Sequence, residues 1–224
     1  MLDPQDVTMS PSNWPVPFLL DPQHLAVDAV ISFCVSVLLA ITINAEAQAF
    51  AATILGDARS GDSRRFNFNC LLHLSLLGTI CYLVAGFGWP RTVDIDNGKF
   101  KHPRTYTVLT RLIGPLANLL VAGIAGSLVM IMKQLEWDPR VFLMLLGVNV
   151  TTAIYNLIIL PPLAAGILVS ELLPPRFATL KYWFLQVGPF LILALAFLER
   201  LSPQGIVSPY LNPIIAAVFN YTRG

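Results

Sequence analysis

Charge is scarce in this sequence. Only 12% of the 224 residues are Asp, Glu, Lys or Arg, about half the share of a soluble domain. With 55% apolar residues, that shortage excludes an ordinary soluble fold and indicates an integral membrane protein. A net charge of +1 leaves no broad basic face for nucleic acid. Cysteine is nearly absent too: Cys34, Cys70 and Cys81 form no CxxC or CxxCH pattern. Disulfide frameworks, covalent haem and zinc ribbons are therefore excluded, and the three are expected to be small buried hydrophobes. Residues 1–24 contain no Lys or Arg and many Pro. A cleaved signal peptide needs a basic start, so an irregular segment resting in the membrane interface is expected instead. No internal repeat and no low-complexity tract occurs.

What the chain has is apolar length. Five stretches approach the roughly 20 residues that cross a bilayer: 25–55, 70–89, 108–132, 141–169 and 182–198. The tail from Ile206 is apolar but short, with Pro209 and Pro213 near its start. It is expected in the interface or against a partner. Residues 90–107 alternate Val93 and Ile95 with polar residues and turn at Asn97-Gly98, a β-hairpin pattern.

The first stretch ends in "NAEAQAFAATILGD", residues 44–57. It matches a helix motif of the form HExxHAxxAxxxGD through Ala49, Ala52, Gly56 and Asp57. "RFNFNCLLHLSLLGTI" resembles RLTLNPLxHLDPxGTI, with Asn69, His73, Leu74, Gly78 and Thr79 in place. "FGWPRTVDID" is similar to FGWAKPVPVN, "GPLAN" to GPxxN, and "YNLIILPPLAAGIL" to FNLxPxPPLDGGRIL. These five motifs occur in order over residues 41–170. Together they resemble the bacterial site-2 proteases, intramembrane zinc metalloproteases. The resemblance implies an all-α integral membrane protein, with a site-2-protease-like helical core at residues 25–170. A re-entrant segment at 70–89 and a small β-hairpin belong to that reading. Residues 171–224 would add a C-terminal transmembrane helix and an interfacial tail.

In that family two His, four residues apart, and an Asp bind zinc, and a Glu beside the first His is the general base. Here Asn44 and Gln48 stand at the His positions, Ala45 at the Glu and Ala164 at the Asp. The expectation is a degenerate member: not an enzyme, with no catalytic residue, no zinc and no other cofactor. Asn118, Asn156, Gly114 and Pro115 match retained family positions near substrate. They are expected to serve as interhelical hydrogen bonds, close helix approach and a local break, with a peptide-binding groove as the functional alternative. Asn44 and Gln48 lie about 40° apart around a helix, whereas Glu46 lies about 200° from Asn44. A carboxylate at membrane depth costs about 2.5–3.5 kcal/mol, so Glu46 is expected to pair with a neighbouring element. His73 is expected to hold a helix end or loop.

Placing Asn44, Gln48 and Ala164 at one depth requires an odd number of crossings between the first and fourth stretches. If 70–89 is re-entrant, ten of the fourteen Lys and Arg residues share one side, and Arg111 is among the ten. Full alternation of five spans divides them evenly. The positive-inside rule then puts the N-terminus outside. The functional expectation is a structural subunit of a larger membrane complex, such as a respiratory or photosynthetic one, in a bacterial inner membrane. Its partners would be other membrane subunits and lipids. The alternatives are a regulator that binds transmembrane helices or peptides without cleavage, and a proton-path subunit built around Glu46.

Overall fold

The computed structural model describes residues 26–57, 69–202 and 205–223. The interfacial segment expected at 1–24 lies outside the described residues. Among the described residues seven α-helices follow in order: α1 (Val27–Ile54), α2 (Leu76–Ala85), α3 (Pro103–Gln134), α4 (Arg140–Tyr155), α5 (Ala164–Leu172), α6 (Ala178–Leu201) and α7 (Ser208–Arg223). Helices at Val27–Ile54, Pro103–Gln134 and Pro175–Leu201 are long and apolar enough to cross a membrane. The chain is an all-α membrane protein, with no β-strand among the described residues.

Helix α1 runs 28 residues without an internal Gly or Pro, about 42 Å at 1.5 Å per residue. Three residues beyond its end lies Asp57, which is fully buried. Its Oδ2 accepts the Asp96 N–H at 3.0 Å, and Lys99 Nζ lies 3.6 Å from Oδ1. The exit of α1 and the approach to α3 are thus in contact. Between them, α2 has only ten residues, about 15 Å. Ser75 caps its start by accepting the Gly78 N–H, and Gly86, at φ 71°, stops it in the left-handed conformation that favours glycine. A bridge between Leu74 and Pro90, with Arg91 N–H donating to the His73 carbonyl at 2.7 Å, closes the segment on itself.

The expected hairpin at 90–107 does not form. The Asn97–Lys99 segment is a short 3₁₀ turn, held by Asp96 Oδ1 accepting the Gly98 N–H at 3.1 Å. The backbone groups of this loop find partners elsewhere: Asp96 N–H on Asp57, and the Val93 carbonyl on Arg111. With those bonds made outward, no cross-strand ladder remains to build.

The stretch 141–169 is also not one helix. Helix α4 stops at Tyr155, and residues 157–163, including Pro161 and Pro162, are irregular. Proline supplies no N–H and disfavours helix in the residue before it. Asn156 repairs the break: its side-chain oxygen accepts the Ala164 N–H at 3.2 Å and its carbonyl the Ala165 N–H at 3.0 Å. Irregular backbone at membrane depth survives only when protein covers it. A Cβ on Gly166 would lie 2.2 Å from the Leu160 carbonyl carbon, and one on Gly188 of α6 2.3 Å from the Pro161 oxygen. Only glycine lets these helices close on the break.

The tail expected in the interface or against a partner forms α7 and packs on the chain's own helices through Ile215. Ile215 is buried in a cluster with Phe87, Trp89, Tyr155, Leu163 and Ile192. Pro209 falls in the first helical turn, where its missing N–H is tolerated. The cap comes from outside the segment: buried Glu199 accepts the N–H groups of Ile206, Val207 and Ser208 at 2.8–2.9 Å. A second cluster joins Phe33, Val37 and Ile41 of α1 to Tyr82, Met144 and Val148. The outward faces of α1, α3 and α6 are apolar, with Ile31, Leu120 and Phe190 exposed.

Candidate functional site

Four amides and one ion pair meet where α1, α3, α4 and α5 converge. Asn44 is fully buried and Gln48 is 6% exposed, one turn apart on α1. Gln48 Nε2 donates to Asn44 Oδ1 at 2.9 Å, and Asn44 Nδ2 donates to Asn118 Oδ1 of α3 at 3.0 Å. Asn118 Nδ2 donates to the Ala40 carbonyl at 3.2 Å and to Asn149 Oδ1 of α4 at 3.3 Å. Asn149 donates on to the Leu145 carbonyl at 2.8 Å. At the other end, Arg111 Nη1 donates to Gln48 Oε1 at 3.1 Å and to the Val93 carbonyl at 3.0 Å. Arg111 Nε donates to Glu171 Oε2 at 2.9 Å, and Nη2 bonds Glu171 Oε1 as well. The guanidinium is 3% exposed and the carboxylate 14%.

The positions singled out in the sequence fall around this network. Ala45 is buried on α1 beside it. Ala164, at the first residue of α5, lines the same small void as Asn44, Gln48, Arg111 and Asn156. Gly114 packs directly on the amides, since a Cβ there would lie 2.7 Å from Asn44 Oδ1 and 2.8 Å from Gln48 Nε2. Pro115 is buried beside it inside an otherwise continuous α3, and removes the N–H that would bond the Arg111 carbonyl. Asn118 ties three helices together. Asn156 does not: it bridges the break between α4 and α5. Glu46 faces away from the network, with its Oε1 2.9 Å from His73 Nε2. The hydroxyls of Tyr82 and Thr152 meet at 2.9 Å on the same side of the bundle as α2.

Arg111, Glu171 and Asn149 were not among the expected site residues. Arg111 was counted with the loop cations, yet it sits one turn before Gly114-Pro115 in an apolar run. A charge so placed inside a span is itself a signal of a buried role.

A zinc centre does not fit these residues. Carboxamides are weak zinc donors beside imidazole and carboxylate, the methyl groups of Ala45 and Ala164 donate nothing, and Arg111 brings a positive charge to the same void. Among the described residues no three His, Cys, Asp or Glu side chains are grouped to hold a metal ion. The void itself is about 10 Å³.

A helical membrane protein with a buried polar site at the meeting of its core helices defines the class. Within that class, 167 residues of the chain are 32% identical to the "Putative zinc metalloprotease YwhC" of Bacillus subtilis (strain 168), over 70% of this chain and 74% of the relative. The chain belongs to that site-2-protease-like family of membrane metalloproteases. No family model matches it, and neither does any solved structure. This kinship corrects the expectation that the chain is not an enzyme, because the relative's name points toward protease activity.

Proposed function

We propose that this protein is a structural subunit of a larger membrane assembly, using the protease-type helical core to hold helices of other membrane proteins. The observation that carries the reading is the network at the core. It joins α1, α3, α4 and α5 by side-chain bonds, and it leaves a void of about 10 Å³. Amides and an ion pair bonded across the former cleft favour a helix-holding role over a regulator that reads peptides there. Holding helices needs no metal. The exposed apolar faces of α1, α3 and α6 supply the contact surface for helices and lipids.

The proposed topology is multi-pass in a bacterial inner membrane, N-terminus outside, with residues 70–89 re-entrant. In support, α2 is about half as long as the ~30 Å hydrocarbon core, and the Leu74–Pro90 bridge and the Asp57–Asp96 bond join the segment's two ends. Affinity isolation from native membrane after chemical crosslinking tests the function. The expected outcome is a fixed, stoichiometric set of membrane partners. A chain recovered alone, which cleaves a transmembrane reporter in vesicles, would replace this reading with the proteolysis to which the kinship points.

A further inference from the structure

We propose that Arg111 is the resident cation of this site, standing where the family's metal would lie and closing the site to divalent ions. The argument begins with donors and acceptors. A guanidinium only donates, so Gln48 must turn its oxygen toward Arg111 and its NH₂ toward Asn44. Asn44 then presents its oxygen to Gln48 and its NH₂ to Asn118, which repeats the pattern toward Asn149. Every amide in the series thus points its carbonyl end toward the Arg111 side. One fixed positive charge sets the direction of four side-chain dipoles, and hydrogen bonds chained this way strengthen one another.

The same geometry shuts out a metal ion. Gln48 Oε1, Asn44 Oδ1 and Asn118 Oδ1 are the oxygens a cation would need, and each already accepts a hydrogen bond. Glu171 is the carboxylate nearest the network, and two guanidinium nitrogens occupy both of its oxygens. A divalent ion entering the void would also have to take Glu171 from a cation that is always charged, because Arg111 cannot lose its proton. Glu171 in turn neutralises Arg111, which makes a buried guanidinium tolerable at this depth.

The test restores the family ligands in the full chain, purified in detergent, as Asn44→His/Gln48→His/Ala164→Asp. A second protein adds Arg111→Met and Glu171→Leu, which removes the cation and its partner together. Both are equilibrated with zinc, passed through a chelating resin and measured by elemental analysis, with cobalt absorption reporting tetrahedral coordination. With Arg111 present the expected zinc content is near zero; without the pair it is about one per chain. Equal uptake by both proteins, or uptake by neither, overturns the proposal. If either variant fails to fold, the native background decides. Arg111→Met alone is expected to lower the melting temperature, and Arg111→Met/Glu171→Leu to recover at least half of the loss, since an unpaired buried carboxylate costs more than a missing pair. Equal melting temperatures for the single and the double variant would overturn the proposal.

Discussion

Asn118 makes more hydrogen bonds than any other of the four amides, accepting from Asn44 while donating to Ala40 and Asn149. Asn118→Leu leaves the Asn44 amide and the Asn149 oxygen without it. The expected loss is about 1–3 kcal/mol, measured by denaturant titration in detergent micelles. Gly114→Val is expected to cost a similar about 1–3 kcal/mol through overpacking, because its Cβ would press on the Asn44 and Gln48 amides. A melting temperature unchanged by Gly114→Val would mean that α1 and α3 are not in this close contact. Asn44, Gln48, Asn118, Gly114 and Ala164 were legible in the sequence because their motifs have fixed spacing. Arg111 and Glu171 were not. Each finds its partner 60 residues away, and no local pattern announces such a pair. Moving Arg111 from the loops to the core also takes it out of the positive-inside count on which the proposed topology draws.

Helices α1, α3 and α6 were legible from apolar length alone, since a span of about 20 residues has few other uses. Helix α7 was not legible. Its two prolines suggested irregular chain, and the carboxylate that caps it lies on α6, outside its own segment. Glu199→Ala removes the acceptor for three N–H groups at the α6–α7 turn. The expected result is faster hydrogen–deuterium exchange across residues 208–223, with α3 and α4 unchanged. Glu199→Gln keeps one oxygen and should fall between. Exchange unaltered by Glu199→Ala would show that packing of Ile215, rather than the cap, holds α7 in place. The hairpin expectation failed for a related reason: alternation of Val93 and Ile95 predicts strand, but Asp57 and Arg111 claim the backbone groups that a ladder needs.

For the whole molecule, the proposed topology makes a sharp statement about sidedness. In a chain freed of Cys34, Cys70 and Cys81, single cysteines at Lys99 and Lys133 are expected to label from opposite sides of sealed vesicles, because α3 separates them. A cysteine at Arg64, outside the described residues, is expected to label from the Lys99 side. Labelling of Arg64→Cys from the Lys133 side would mean that residues 70–89 cross the membrane fully.

The break between α4 and α5 also sets an order of assembly. Residues 157–163 carry irregular backbone that lipid cannot solvate, and Gly188 of α6 is part of what covers it. During synthesis, α4 and α5 therefore emerge before their cover exists. They are expected to be sheltered in a proteinaceous environment until α6 arrives. A chain truncated after Phe177 should be retained by the insertion machinery and degraded, whereas one truncated after Gly205 should enter the bilayer and persist. On that expectation the Pro161-Pro162 break would make arrival of the last long helix the step that closes the core.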